Sequence, residues 1–259
     1  GNGAATVVND AGLNFAASTV RGALTATATT GDITDSGTLT ITGASIFTTR
    51  VGGSNIVLDS SANAFAAAVT MKADTGGDET FGNITFVDSA AVKLHSSAGT
   101  NGDLFIDAGT DLAVGGNLSI TATTGNITQG SEVAVGGTTT LVTSANDATI
   151  TLNDADNAFT GALTITTNDN SGTDADVIID GGTTALIIAA STIDGDLTLT
   201  SGATAGITDS GTVTVGGDLA ATTDAGNGVI NMGTLAVDGT IALTTNGNGA
   251  ATVVNDAGL

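Results

Sequence analysis

The chain has 259 residues, with no Pro, Cys, Trp or Tyr, 38 Gly and a formal net charge of −22. Its four basic residues, Arg21, Arg50, Lys72 and Lys93, do not cluster, which argues against nucleic acid as a partner because phosphate binding needs grouped Lys and Arg. The missing Cys excludes disulfides and thiolate metal sites, and no apolar run approaches the roughly 18 residues of a membrane-spanning helix, so no membrane insertion is expected.

The chain opens on GNGAATVVNDAGL (1–13), and the same thirteen residues return at 247–259. This opening has neither the basic n-region nor the apolar h-region of a signal peptide, so none is expected. Its glycines lack the strand–GxGxxG–helix context of a phosphate site. LNFAASTVRGAL (13–24) returns as LIIAASTIDGDL (186–197). GDITDSGTLTITG (31–43) returns as GNITQGSEVAVGG (125–137) and AGITDSGTVTVGG (205–217), and SANAFAAAVTM (61–71) as DNAFTGALTI (156–165). The aligned Ile33, Ile127 and Ile207 lie 94 and 80 apart, and the terminal duplication has a period of 246, which places the next copy 72 beyond Ile207. A 246-residue block (1–246) therefore holds three diverged sub-blocks, about 13–106, 107–185 and 186–246, and 247–259 begins the next block.

A finer step runs inside. Taking Leu24, Ile46, Val69 and Val92 as the first inward residue of each segment gives steps of 22, 23 and 23. Leu118, Leu141 and Leu163 step by 23 and 22, and Leu197, Leu219 and Ile241 by 22 and 22. Ten such steps fill a block, and NDNSGTDAD (168–176) reads as a loop inserted in one of them. Within a step the alternation has period two, as in GNLSITAT (Leu118, Ile120 and Ala122 against Ser119, Thr121 and Thr123), which marks strands with one buried face. Gly, Asp and Asn between the strands supply corners. Three short strands per 22 residues predict an all-β parallel β-solenoid with about ten coils per block, stacked about 4.8 Å apart. Helix is excluded by the period and by the Gly and Thr content. A tandem antiparallel sandwich is the structural rival, disfavoured because the step continues across sub-block boundaries. Neither terminal segment reads as a polar cap, so strand edges are expected to stand open at both ends.

GNLSITATTGNITQGSEVAVGGTTTL (116–141), ATITLNDADNAFTGALTI (148–165) and ALIIAASTIDGDLTLTSGATAGITDSGTVTVGGDL (185–219) resemble the filamentous-haemagglutinin-like repeats of giant bacterial surface proteins. That resemblance implies a right-handed parallel β-helix and a secreted fibre or adhesin shaft.

No catalytic, cofactor-binding or metal-binding residue is expected. No Ser/His/Asp set or phosphate loop occurs, and His95, in VKLHSS, is the lone His. β-Helical polysaccharide lyases and hydrolases need paired carboxylates and aromatic sugar platforms, which a chain without Trp or Tyr does not offer. NDAD (153–156), NDNSGTDAD (168–176) and VDGT (237–240) raise a calcium hypothesis, but calcium needs six to eight converging oxygens and Asp and Asn are default corner residues. Loose surface binding of divalent cations is the weaker form of that expectation. The Thr-x-Thr rows raise an ice-binding hypothesis, set against the suitability of Thr for a solvent-facing strand. The expected role is therefore structural: a segment of a long extracellular or cell-surface fibre whose partners are neighbouring blocks. The alternatives are an adhesive module binding a glycan or host surface through loops 74–83 and 168–176, and a cation-dependent matrix or surface-layer protein.

Overall fold

A computed structural model describes residues 2–73, 82–95, 103–106, 113–170 and 174–256, in which all regular structure is β. The alternating segments form short strands that succeed one another round three faces. The first coil is β1 (Ala5–Asn9), β2 (Leu13–Phe15) and β3 (Ser18–Val20). The second is β4 (Leu24–Ala28), β5 (Ile33–Asp35) and β6 (Leu39–Ile41), and the third β7 (Ser45–Thr49), β8 (Ile56–Leu58) and β9 (Ala64–Phe65). The fourth is β10 (Val69–Lys72), β11 (Ile84–Asp88) and β12 (Val92–His95). An extra strand, β13 (Asp103–Ile106), then pairs with both β10 and β12.

Coils five to seven are β14 (Ala113–Val114), β15 (Leu118–Ala122) and β16 (Ile127–Gln129); β17 (Ala134–Val135), β18 (Thr139–Thr143) and β19 (Ile150–Leu152); and β20 (Ala158–Phe159), β21 (Leu163–Thr166) and β22 (Val177–Asp180). Coils eight and nine are β23 (Leu186–Ile188), β24 (Ser191–Ile193) and β25 (Leu197–Ser201), then β26 (Ile207–Asp209), β27 (Val213–Val215) and β28 (Leu219–Gly226). In the tenth, β29 (Ile230–Val237) serves two faces and β30 (Ile241–Asn246) the third. β31 (Ala251–Asn255) begins an eleventh coil on β29.

Every pairing among the described residues is parallel, and all but those of β13 join one coil to the next, as a solenoid requires. On the second face Leu13, Ile33, Ile56, Ile84, Leu118, Thr139 and Leu163 stack in one ladder. It continues through β24, where Ser191, Val213 and Leu235 are aligned. The expected ten coils are therefore present. Ala, Val, Ile and Leu fill the interior, and a string of rings runs through the first four coils. Phe15 and Phe47 meet edge to face at 6.3 Å, Phe47 and Phe65 at 6.2 Å, and Phe65 and Phe86 at 5.2 Å. Both end coils present strands paired on one side only: β1 joins β4, β30 joins β28 and β31 joins β29.

The register corrects three details of the sequence expectation. Leu24 stacks on Ser45, which is buried, while Ile46 points outward and is 40% exposed. Leu118 stacks on Thr139, so Leu141 is inward but two positions further along, opposite Ile120. Val92 does not stack on Val69: β13 stands between their strands and aligns Val69 with Leu104 and Leu104 with Leu94, while Val92 stacks under Ile127, Ile150, Val177, Leu197, Leu219 and Ile241 on the third face.

The last correction reflects a property of the whole block. The 22-residue step does not pass unbroken through the sub-block boundaries. The long GxLTxT strand lies on the first face in sub-block one (Leu24 over Ala5), on the second in sub-block two (Leu118 over Ile84) and on the third in sub-block three (Leu197 over Val177). Setting aside β13, ten strands run from the motif's strand in one sub-block (β4) up to its strand in the next (β15), and ten more from β15 up to β25, and ten is one more than three full coils. Each sub-block therefore hands the motif to the next face, and three of them restore the starting phase. β31, identical in sequence to β1, begins on the ladder of Leu186, Ile207 and Ile230, the face that leads into the second face, and its Asn255 reaches Leu235 on the second face after a register shift.

Candidate functional site

The corners carry the ordered polar chemistry. Immediately before the first inward residue of several strands on the second and third faces stands Asn or Asp, and its Oδ1 accepts the backbone N–H one coil later. Before the second face the N–H of Asn55 donates to Asp32 (2.7 Å), that of Asn83 to Asn55 (2.8 Å), that of Asn117 to Asn83 (2.8 Å) and that of Thr138 to Asn117 (2.8 Å). Before the third face Thr149 N–H donates to Asn126 (2.9 Å), Asp196 to Asp176 (2.8 Å), Asp218 to Asp196 (2.7 Å) and Thr240 to Asp218 (2.7 Å). A second row joins glycines: Gly217 N–H donates to Gly195 carbonyl (3.0 Å), and Gly239 to Gly217 (3.0 Å). Together these rows satisfy backbone groups that a corner takes out of the strand ladders.

Two buried asparagines extend this inward. The Asn157 amide oxygen accepts from Val133 N–H (2.8 Å), and its Nδ2 donates to the carbonyls of Leu152 (3.3 Å) and Asp180 (3.0 Å) and to Gln129 Oε1 (3.1 Å). Asn63 stands at the matching place, accepting from Leu39 N–H (2.8 Å) and donating to Asp35 Oδ2 (2.7 Å). Asn157 thus ties three successive coils, and Asn63 ties the second coil to the third. Asp88 is the inward carboxylate at the end of β11, 2% exposed. Burial raises its pKa to about 6, against the lowering effect of the Phe65, Ala90 and Ser89 N–H groups. Its Oδ1 accepts from Phe65 (3.3 Å), covering the edge where β9 ends the β3–β6–β9 sheet.

The acidic segments proposed for calcium resolve into turns where they are described. Asp156 N–H donates to Asp154 Oδ1 (3.0 Å), and Asp169 N–H to Asp194 Oδ2 (2.6 Å). Asn170 Nδ2 donates to Asn146 Oδ1 (2.8 Å). Desolvation and the like charges of Asp169 and Asp174 raise the pKa of Asp147, while burial followed by Asp224 and Asp154 raises that of Asp180 against the Gly182 N–H. Among the described residues no three His, Cys, Asp or Glu side chains converge as metal ligands. Most of loop 74–83, residues 171–173 of the second loop and the side chain of His95 lie outside the described residues. A shallow depression of about 280 Å³ lined by Val114, Val135, Gly136, Ala158 and Thr160 holds no acid–base pair.

The sequence reading took corner Asn and Asp as turn residues and missed their ladder. The signal was present in the recurring pairs Asp32–Ile33, Asn55–Ile56, Asn83–Ile84, Asn117–Leu118, Asp196–Leu197 and Asp218–Leu219. Asp88 gave no signal, because its inward direction depends on a register of one residue.

No curated protein and no solved structure matches the chain. A family model described as repeats of unknown function (DUF5649) matches residues 2–72 and 101–166, which span β1–β10 and β13–β21. The match covers more than half of the sequence, and the chain belongs to this repeat family.

Proposed function

We propose that this chain is a structural segment of a long extracellular fibre or adhesin stalk built from tandem 246-residue blocks, in the manner of filamentous-haemagglutinin-like proteins. The observation that carries the proposal is the integral coil count. Ten coils bring β31, with the sequence of β1, back to the face that leads into the second face. Blocks of this length stack without any change of phase, so any number of them makes one straight rod. Hydrogen bonds between coils run along the rod axis, and the acidic corners repel a neighbouring rod wherever corners approach. The partners on this reading are neighbouring blocks, and the chain carries out no chemical step.

The test is immunogold labelling of intact source cells with antibodies to the 259-residue chain, followed by imaging of the labelled assembly. Thin surface rods with an axial repeat of about 48 Å, from ten coils at strand spacing, are expected. Label confined to the cell interior, or to compact particles, overturns the proposal.

A further inference from the structure

The long GxLTxT strands differ from the other strands in presenting two outward positions instead of one. On the first face these are Thr6 and Val8, Thr25 and Thr27 (the latter buried by its neighbours), Ile46 and Thr48, and Thr70 and Lys72, stacked coil on coil. On the second they are Thr85 and Val87, Ser119 and Thr121, Thr140 and Val142, and Thr164 and Thr166. On the third they are Ile178 and Asp180, Thr198 and Thr200, Ala220 and Thr222, and Ala242 and Thr244. Of these 24 positions 22 are uncharged, although the chain carries −22 overall. Four of the five large apolar side chains most open to solvent fall here or on β31, namely Val8 (63%), Ile46 (40%), Ile178 (39%) and Val254 (58%), while Val51 (40%) lies at the corner after β7.

Because the motif changes face at each sub-block, these patches do not form a stripe along one side. They make three flat fields of four coils each, a third of a turn apart and offset by three and a third coils, about 16 Å at strand spacing. The winding ribbon completes one turn per 246-residue block.

We infer that this ribbon is the surface through which the rod packs side by side with a second copy of the same chain. Two arguments select that occupant. Rods of one charge sign repel wherever corners approach, and the ribbon is the broad area where that repulsion is absent. Its rows of β-branched side chains also repeat at the coil spacing, which an identical rod matches ridge for groove. A sugar ligand is disfavoured because no aromatic platform is available. Ice is disfavoured because each flat field ends after four coils. One field covers on the order of 200 Å² (four strands at 4.8 Å by two side chains), against about 800 Å² per partner in a stable interface. A single contact is therefore weak, and association grows with the number of blocks in register.

The test rests on the ribbon alone and not on where the protein is found. A triple variant with one change per field (Thr48→Glu, Thr140→Glu, Thr200→Glu) is compared with a corner variant of equal added charge (Ser36→Glu, Ser144→Glu, Ser210→Glu). Sedimentation equilibrium at high protein concentration follows the mean mass from low to molar salt, and far-UV circular dichroism and thermal melts check folding. The wild type and the corner variant should rise about twofold in mass as salt screens repulsion, while the ribbon variant stays monomeric. The single variant Thr140→Glu, which perturbs one field, should fall between them. A wild type that is monomeric at every salt concentration, or equal behaviour of the ribbon and corner variants, overturns the inference.

Discussion

Asp88 turns a carboxylate into the core, and the consequence is a stability that depends on pH. Its folded pKa, about 6, lies above the ordinary value of 3.8. The contribution to stability is therefore fully present below the lower value and is lost as pH rises through the higher one. A shift of this size corresponds to at most about 3 kcal/mol. In urea melts at pH 4.5 and 7.5, wild type should lose stability relative to Asp88→Asn across that window. A constant difference between the two proteins would show that Asp88 has no such role. Asn157 acts in the opposite direction, since five side-chain hydrogen bonds fix three coils around it. Asn157→Leu strands Val133 N–H and the carbonyls of Leu152 and Asp180, and should cost about 3 kcal/mol in denaturant melts. Thr139 is buried with its hydroxyl unpartnered among the described residues. Thr139→Val should raise stability by about 1 kcal/mol, read from the same melts.

At the scale of the strand and its corner, Gly217 is required by close approach rather than by φ. A Cβ on Gly217 would stand 2.1 Å from Asp196 Oδ1 and 2.9 Å from the Gly195 carbonyl carbon. Gly217→Ala must therefore push the Asx row and the glycine row apart together, and should destabilise the protein by about 2 kcal/mol. An unchanged melting temperature would show that the corner has slack. The strands were legible in the sequence because alternation at period two survives divergence: Leu118, Ile120 and Ala122 are all inward. The register was less legible. GASIF offers a small inward Ser45 and a large outward Ile46, and apolarity alone chooses the wrong one. The corner rows were hidden for a different reason. Asn and Asp suit any turn, and only stacking shows that each one serves the coil above it.

For the whole molecule, coil count and face assignment are separate matters. The count follows from length and step. The face depends on how many strands each sub-block places, and the insertions around β13 and near 168–176 disguise that number in the residue spacings of 94 and 80. Ten strands on a three-faced solenoid turn a linear repeat into a winding one, which distributes both the acidic corners and the uncharged fields round the rod. Stability in such a stack is a sum over neighbouring coils, and at the junctions where the motif changes face the β3–β6–β9 and β14–β17–β20 sheets end, with the Asp88 carboxylate and the Thr184 hydroxyl accepting from the N–H groups of Phe65 and Phe159. The chain has no Cys, and stacked outward positions lie within the Cα separation a disulfide spans, about 4.4–6.8 Å. The most direct test of the face change is oxidation of two double variants across the first junction. Thr85→Cys with Ser119→Cys joins direct neighbours on the second face and should close rapidly to an intramolecular disulfide. Thr70→Cys with Ser119→Cys joins residues that would be neighbours only if the motif stayed on one face, and should remain reduced. Closure of the second pair and not the first would contradict the face change.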